Sequence, residues 1–255
     1  MEFQATTTVP LPFQDTTLVI PIVSAANLGQ LAVDLLVSSV GMQRVGIFDS
    51  EYLFPVIGGR EDGLPGITTP LELFGKEGHP FYLLQQRSPV IKSCKSEFIS
   101  ALIDFAQKQK FSSVLILSGL DLSHRDDAHM ITPVYHLLPS HNRSLAPSSG
   151  PISTLSALIP AYTGRTDLKD LHLPSSGITK QLLRSLPPTG FPATGVILQY
   201  VLEGDNREDA YLMANIVGRV LGLSEFGRHL QFSWKEPSSW KQGLFGTPHD
   251  QTLFG

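Results

Sequence analysis

The sequence predicts an α/β protein of three-layer α/β/α architecture, in which two layers of helices enclose a mainly parallel central sheet. Short apolar runs of strand length alternate along the chain with longer segments whose apolar residues recur at helical spacing. In addition, a strand, a helix and a second strand fall within Thr17–Asp49. A β-α-β unit of that length joins two parallel strands through a right-handed crossover.

The first unit sets the pattern for the rest. Leu18–Val23 is a predicted strand, Ser24–Asn27 a turn, Leu28–Val40 a helix and Val45–Phe48 a second strand. The helix is apolar on more than one stripe, which predicts burial on two sides. We therefore expect this helix to carry apolar surface beyond what its own sheet covers, available to a permanent partner.

The next elements complete the sheet and add a helix to it. Four glycines and two prolines make Gly58–Pro70 a predicted loop. Leu71–Phe74 and Phe81–Leu84 form a predicted hairpin, and a helix over about Ser93–Gln109 leads to a buried strand at Val114–Leu117.

The second half of the chain begins with a long irregular stretch. Residues 118–174 lose regular periodicity apart from an apolar stretch at Val134–Leu138, and loops of that length are usually functional or mobile. The pattern then resumes in three elements, predicted as a helix at Ile178–Leu186, a strand at Val196–Leu202 and a helix at Asn206–Gly222. We predict one domain over residues 1–255, with an insertion over about 118–174 and a flexible tail over about 241–255.

Composition excludes several classes of protein. Charged residues make up 16% of the chain and apolar residues 42%, which excludes disorder driven by charge. With a net charge of −4 there is no basic surplus, so we expect no nucleic-acid partner. No apolar run approaches the ~18 residues of a membrane span. Met1–Gln14 lacks the features of a secretion signal and Cys94 is the single cysteine, so we expect an intracellular protein without disulfides.

The strongest polar cluster is Ser123–His129, which offers two histidines and two carboxylates after a buried strand. Its irregular context leaves metal-ligand geometry undefined, which favours a solvated loop over a metal or catalytic site. Gly58 and Gly63 have the spacing of a phosphate-binding loop without its lysine. The turn at Gly177 is compatible with an anion at a helix start, and Cys94 fits a buried structural thiol. We predict no catalytic, cofactor or metal residues.

Five short motifs occur in one order along most of the chain and together resemble the proteasome assembly chaperone 2 family. They are Asn27–Leu36, Thr132-Pro133 with Leu137–Pro139, Gly177–Lys180, Glu203–Asn206 with Asp209-Ala210, and Pro237–Trp240 before Leu244–Gly246. The resemblance implies a non-enzymatic chaperone with an α/β/α fold related in architecture to nucleoside phosphorylases. It also implies a heterodimer with proteasome assembly chaperone 1, located in the cytoplasm and nucleus. That heterodimer would bind 20S proteasome α subunits, promote α-ring formation and prevent off-pathway α-ring dimers.

The resemblance also points to the last three residues. The family uses a C-terminal tail of hydrophobic residue, tyrosine and any residue that inserts between α subunits, and this sequence ends in Leu253, Phe254 and Gly255. Phenylalanine keeps the aromatic ring but lacks the hydroxyl group. We expect the ring to anchor the tail in a groove by burial.

Two alternatives remain open. One is a nucleoside-phosphorylase-like enzyme that uses the C-terminal edge of the sheet, with His124, Asp126 or the Gly177 turn in its pocket. Such an enzyme requires a closed pocket with perturbed acids. The other is an α/β interaction module without a proteasome role.

Overall fold

A computed structural model describes residues 1–7, 11–49, 51–139, 149–163, 171–223 and 234–242 of the chain. Within these residues the strands are β1 (Phe3–Ala5), β2 (Thr17–Pro21), β3 (Gln43–Phe48), β4 (Gly58–Gly59), β5 (Ile67–Thr68), β6 (Leu71–Gly75), β7 (Phe81–Gln86), β8 (Ser113–Asp121), β9 (Val134–Leu137) and β10 (Ala193–Val201). The α-helices are α1 (Leu28–Val40), α2 (Lys95–Lys108), α3 (Pro151–Leu158), α4 (Gly177–Ser185) and α5 (Arg207–Val220).

Eight of the strands form one mixed sheet in the order β1-β3-β6-β7-β2-β8-β10-β9. The four central strands β7, β2, β8 and β10 are parallel, and both flanks are antiparallel. β2 and β3 run in the same direction, as the β-α-β prediction requires. They are not neighbours, however, because the predicted hairpin of β6 and β7 lies between them.

Helices cover both faces of the sheet, so the predicted three-layer architecture is confirmed. α2 and α4 pack against one face, and α1, α3 and α5 against the other. The central strands are buried on both sides: every residue of β2 and β7 is buried, as expected for parallel strands between two helical layers. Two apolar clusters, one on each face, form the core.

Helix α1 is buried on two sides, and other elements of this same chain bury both of them. One side packs on the sheet, and the other packs against α5 and residues 234–242, a segment we call the strap. Trp240 of the strap is only 3% exposed within the same apolar cluster. The expectation that α1 offers surplus apolar surface to a partner is therefore wrong.

Most of the large apolar side chains that are exposed in the described part of the chain lie in loops and at strand ends instead. They are Phe54, Val56, Ile57, Leu64, Ile67, Met130, Ile131 and Leu202, and one more, Leu212, lies on α5. The first five belong to the connection between β3 and β6, which includes the small antiparallel pair of β4 and β5. Met130, Ile131 and Leu202 lie beside β9 and β10.

One predicted boundary differs because burial continues beyond the apolar run, and one predicted irregular stretch contains regular elements. β8 is nine residues long and extends to Asp121, since Ser118 and Gly119 are buried without being apolar side chains. The stretch predicted as irregular contains β9 and also α3, a helix that begins with Pro151 at its first position. No helix among the described residues is both long and apolar enough to cross a bilayer.

Candidate functional site

The candidate site is the edge of the sheet where the parallel strands β7, β2, β8 and β10 end, which we call the carboxyl edge. Open α/β sheets bind ligands outside this edge, at the point where connections leave neighbouring strands in opposite directions. Here the connection from β2 leads to β3, toward one edge of the sheet, and the connection from β8 leads to β9, at the opposite edge. A ligand of such a sheet would therefore lie in the crevice between β2 and β8.

That crevice is filled by the chain's own turn after β2. The Ser24 Oγ atom accepts a hydrogen bond of 2.8 Å from the Gly119 amide and donates one of 2.9 Å to the Ile22 carbonyl. The Ala25 carbonyl oxygen lies so close to Gly119 that a Cβ atom built there would be 2.5 Å away from it. Only glycine fits at this point, because no real Cβ contact is that short.

The turn itself holds an uncommon backbone conformation. Ala26 and Asn27 have φ angles of 57° and 50°, so two consecutive residues other than glycine lie in the left-handed region. Asparagine tolerates this region, whereas alanine adopts it rarely. The hydrogen bond between Ser24 and Gly119 holds the turn against β8 and so fixes where α1 begins.

Buried hydroxyl groups attach α4 to the same strand. Ser118 Oγ lies 3.0 Å from Ser176 Oγ and 2.8 Å from Thr179 Oγ1, and Ser176 Oγ also donates to the Gly119 carbonyl. All three hydroxyl-bearing residues are buried. The hydroxyls at the Gly177 turn are therefore used inside the protein, whereas an anion at this helix start would be held by backbone N–H groups.

Most of Ser123–His129 is exposed, as the prediction of a solvated loop requires, but His129 at its end is buried. His129 is 1% exposed, is hydrogen-bonded to Asp126 through Nδ1, and stacks on Tyr162 with ring centroids 4.6 Å apart. His124 lies at the surface, with its Nδ1 atom 3.3 Å from a carboxylate oxygen of Asp121. Across the described ranges, no group of three His, Cys, Asp or Glu side chains is placed to hold a metal ion.

Arg125 stabilises this loop from within. Its guanidinium donates to the carbonyls of His129 (2.7 Å) and Thr132 (2.9 Å) and lies over the Tyr200 ring, 5.7 Å from the centroid. Burial, aided by a hydrogen bond with Tyr162, raises the pKa of Tyr200. The Tyr200 phenol is therefore neutral at physiological pH, and Arg125 packs over an uncharged ring.

A cavity of about 300 Å³ opens at the carboxyl edge between β2 and β7. It is lined by Val23, Asn27, Gln30, Asp34 and the run from Gln85 to Pro89. Gln85 Nε2 donates to the Gln30 carbonyl (3.0 Å) and to Asp34 (2.6 Å), and Arg87 lies 3.1 Å from the same carboxylate. Burial raises the pKa of Asp34, although the Arg87 charge opposes this shift.

The residues named for the enzymatic alternative are not brought together. His124, Asp126 and Gly177 do not line the cavity between β2 and β7. His124 is engaged with Asp121, and Asp126 with His129. The structure thus gives these three positions separate local roles.

Other positions considered from the sequence are also accounted for. Cys94 is half-buried and lies directly before α2, so it is not on the buried stripe expected for it. Gly58 is exposed in β4, and Gly63 is exposed in the connection between β4 and β5. The tail residues Leu253, Phe254 and Gly255 lie outside the described residues.

Four of the five sequence motifs meet at the carboxyl edge. Asn27 follows β2, Thr132 precedes β9, Gly177 begins α4, and Glu203–Asn206 follows β10. In the last of these motifs, the Asn206 side chain donates to the Leu202 carbonyl (2.6 Å) and accepts from the Gly204 amide (3.0 Å). Sequence reasoning missed this convergence, although the signal was present: each motif adjoins the end of a predicted element.

The comparisons with known proteins cover nearly the whole chain. The model of the PAC2 family matches residues 18–224. Proteasome assembly chaperone 2 of Xenopus tropicalis is 30% identical over 94% of this chain and 95% of its own length, and that of Danio rerio is 31% identical over 95% and 96%. Among solved structures, Pyrococcus furiosus PbaA, an archaeal homolog of proteasome-assembly chaperone, superposes with a TM-score of 0.62 at 17% identity, over 88% of this chain and 87% of PbaA.

Proposed function

The chain belongs to the PAC2 family, as its motifs indicated, and we propose that it is a subunit of a proteasome assembly chaperone. One observation carries the proposal. The similarity to proteins named proteasome assembly chaperone 2 extends over 94% to 95% of the chain, so it includes every layer of the fold as well as the carboxyl edge.

The geometry of the carboxyl edge supports a role in protein binding. The crevice between β2 and β8, where α/β enzymes place a ligand, is filled by Ser24 and Ala25. At the same edge, Met130, Ile131 and Leu202 expose large apolar side chains. Side chains of this kind are available to contact another protein.

The proposal includes the partners implied by the resemblance. The chain forms a heterodimer with proteasome assembly chaperone 1, and the heterodimer binds α subunits of the 20S proteasome. In this way it promotes α-ring formation and prevents off-pathway α-ring dimers. We expect the complex in the cytoplasm and the nucleus, where the proteasome subunits that it binds are found.

The proposal also assigns a role to Leu253, Phe254 and Gly255. An apolar side chain followed by an aromatic ring is suited to an apolar groove between two neighbouring α subunits, because both side chains gain by leaving water. The family usually has a tyrosine at the position of Phe254. Burial of the ring is retained with phenylalanine, but the hydrogen bond of a tyrosine hydroxyl is lost.

Co-purification from cells tests the assignment of partners. We expect the affinity-purified chain to recover proteasome assembly chaperone 1 and free α subunits in defined ratios. Recovery of the chain alone, with turnover of a nucleoside by the purified protein, would support the enzymatic alternative instead.

Deletion of Leu253–Gly255 tests the tail. We expect the truncated chain to bind α subunits at least ~10-fold more weakly, since anchoring side chains dominate such contacts. Its complex with proteasome assembly chaperone 1 should be unchanged, and substitution of the three residues before Leu253 by alanine serves as the control. Unchanged binding of the truncated chain to α subunits would remove the tail from the mechanism.

A further inference from the structure

A second cavity, of about 290 Å³, is lined on one side by Lys235–Ser238 of the strap, and we call it the strap cavity. The second half of α1, strands β3 and β6, and the connection between β4 and β5 supply other parts of its lining. Val37, Met42, Phe74 and Pro237 form its apolar part, and Met42 and Phe74 are buried. A cavity of this size with an apolar part is suited to a small organic molecule.

A chain of alternating charges forms the polar part of the strap cavity. Glu72 lies at its centre and is only 1% exposed. Its Oε1 atom accepts hydrogen bonds from Arg44 Nη1 (2.7 Å) and from the Thr69 amide (3.2 Å). Beyond Glu72, the Arg87 guanidinium lies 3.1 Å from a carboxylate oxygen of Asp34. These contacts hold Glu72 and Arg87 in defined positions.

One acceptor and one donor lie side by side in this chain without a hydrogen bond. Among the described residues, neither Glu72 Oε2 nor Arg87 Nε has a hydrogen-bond partner, although both atoms are buried. The two atoms are 3.7 Å apart, which is too far for a hydrogen bond between them. Buried polar atoms without a partner are costly, so in native proteins they call for a bound water or ligand.

The charges around the strap cavity are already compensated. Besides the two ion pairs described above, Arg60 Nε donates to Asp62 (2.9 Å). Glu61 and Glu236 each accept a hydrogen bond from a hydroxyl group. Lys235 is exposed, so water solvates its ammonium group. A ligand with a full charge would therefore have to break an ion pair or remain unpaired in the cavity, and both are unfavourable.

A primary carboxamide is an uncharged group that complements the two buried atoms. Its oxygen accepts from Arg87 Nε and its NH₂ group donates to Glu72 Oε2, so each atom gains a partner while the ion pairs stay intact. An apolar or aromatic body attached to the amide would contact Val37, Met42 and Phe74 and gain by leaving water.

We propose that the strap cavity binds a small uncharged carboxamide with an apolar or aromatic body. This inference goes beyond the proposed chaperone function and is tested independently of it, because the chain alone supplies the residues of the site.

The first test compares three probes that share one ring and differ only in the polar group. Benzamide, benzoate and benzylammonium are titrated separately against the full chain by calorimetry. Benzamide should bind at least ~10-fold more tightly than either analogue, because each analogue satisfies only one of the two buried atoms. Equal or tighter binding of an analogue would overturn the proposal. Absence of binding by all three would also overturn it, since water alone would then serve these atoms.

The second test fills the apolar part of the strap cavity. Val37→Phe should abolish binding of benzamide, because the larger side chain takes the space of the probe. Val40→Phe is the matched control: it is the same substitution at a half-buried position of the same helix, but Val40 does not line the cavity. Equal affinity of the two variants for benzamide would overturn the location of the site.

The third test changes the polar group that recognises the amide. In Glu72→Gln, the side-chain oxygen should keep the hydrogen bonds from Arg44 and the Thr69 amide, so the new NH₂ group lies toward Arg87. Two donors then face the probe, and the variant should prefer benzoate to benzamide, the reverse of wild type. An unchanged preference for benzamide would overturn the assignment of Glu72. The first test needs no variant, so it decides the proposal even where a core substitution unfolds the chain.

Discussion

Gly119 lies where the turn after β2 and the start of α4 both meet β8. Its amide donates to Ser24 Oγ, its carbonyl accepts from Ser176 Oγ, and the Ala25 carbonyl occupies the space of a side chain. Three elements are therefore fixed to one another at a residue that contributes only backbone atoms.

Substitution of Gly119 tests this arrangement. Gly119→Ala should lower the free energy of unfolding by about 1–3 kcal/mol, because a Cβ atom forces the Ala25 turn to move. Chemical denaturation measures the change. Gly204→Ala is the control, as a Cβ there meets nothing within 4 Å. If the two variants have equal free energies of unfolding, the Ala25 turn moves away from the new Cβ atom without loss of stability, which would contradict the prediction.

Tyr211 gives a prediction about alkaline pH. Burial, followed by the hydrogen bond to Glu236, raises its pKa from 10.0 to about 12. A group whose pKa is raised by folding stabilises the fold below its unfolded pKa and loses that contribution as pH rises through the folded pKa. The stability difference between wild type and Tyr211→Phe should thus be constant below pH 10 and fall between pH 10 and pH 12.

Thermal melts of both proteins across this pH range measure that difference. Other groups that titrate at high pH contribute to both proteins, so they cancel in the comparison. A difference that persists undiminished to pH 12 would contradict the raised pKa of Tyr211.

Sequence reasoning at individual positions found residue types but not their partners. The sequence predicts a turn at Ser24 and another at Gly177, but it does not show that Ser24 and Ser176 both bond to Gly119, which is far away along the chain. The irregular context of His129 predicts a solvated loop, whereas Tyr135, Tyr162 and Tyr200 bury this residue from other elements. Tertiary contacts of this kind leave no local pattern.

The strap joins several elements through its backbone and side chains. Ser39 on α1 exchanges hydrogen bonds with the Lys235 backbone, and Glu61 accepts from Ser238 Oγ (2.7 Å). Arg207 donates to the Trp240 carbonyl (3.2 Å). The strap thereby connects α1, α5 and the connection between β4 and β5.

Truncation of Trp240 tests the strap. Trp240→Ala should lower the free energy of unfolding by about 3–5 kcal/mol, as expected for removal of a buried tryptophan. Trp240→Phe keeps most of the apolar burial and should cost less. Hydrogen exchange should also rise in the backbone of α1 and α5 in the alanine variant. Unchanged exchange and stability would mean that the strap does not hold these helices.

Helices and central strands were the elements that the sequence predicted best. α1, α2, α4 and α5 lie within a few residues of their predicted positions, since apolar periodicity marks a helix that has one buried face. The place of β3 in the sheet was not predicted. Its apolar run indicates a strand, but it does not indicate that the hairpin of β6 and β7 lies between β3 and β2. The sequence predicts a partner protein on the outer side of α1, where α5 and the strap lie instead. The periodicity of a helix shows that a face is buried, but it does not show which element buries that face.

At the level of the whole molecule, the fold closes its central crevice and turns apolar side chains outward at the same edge. The low charge and high apolar share of the chain predict neither charge-driven disorder nor a nucleic-acid partner, and the structure leaves several apolar side chains exposed at the carboxyl edge. The carboxyl edge could be anticipated from the order of the strands. Its closure could not, because it depends on a carbonyl oxygen packed against a glycine.

Reconstitution of the α-ring tests the central claim most directly. Purified 20S α subunits are incubated alone, with proteasome assembly chaperone 1 alone, and with the complex of both chaperone subunits, and the products are separated by mass. We predict that the complete complex increases single α-rings, remains bound to them and reduces ring dimers. An unchanged distribution of rings and dimers, with no chaperone bound, would contradict the account.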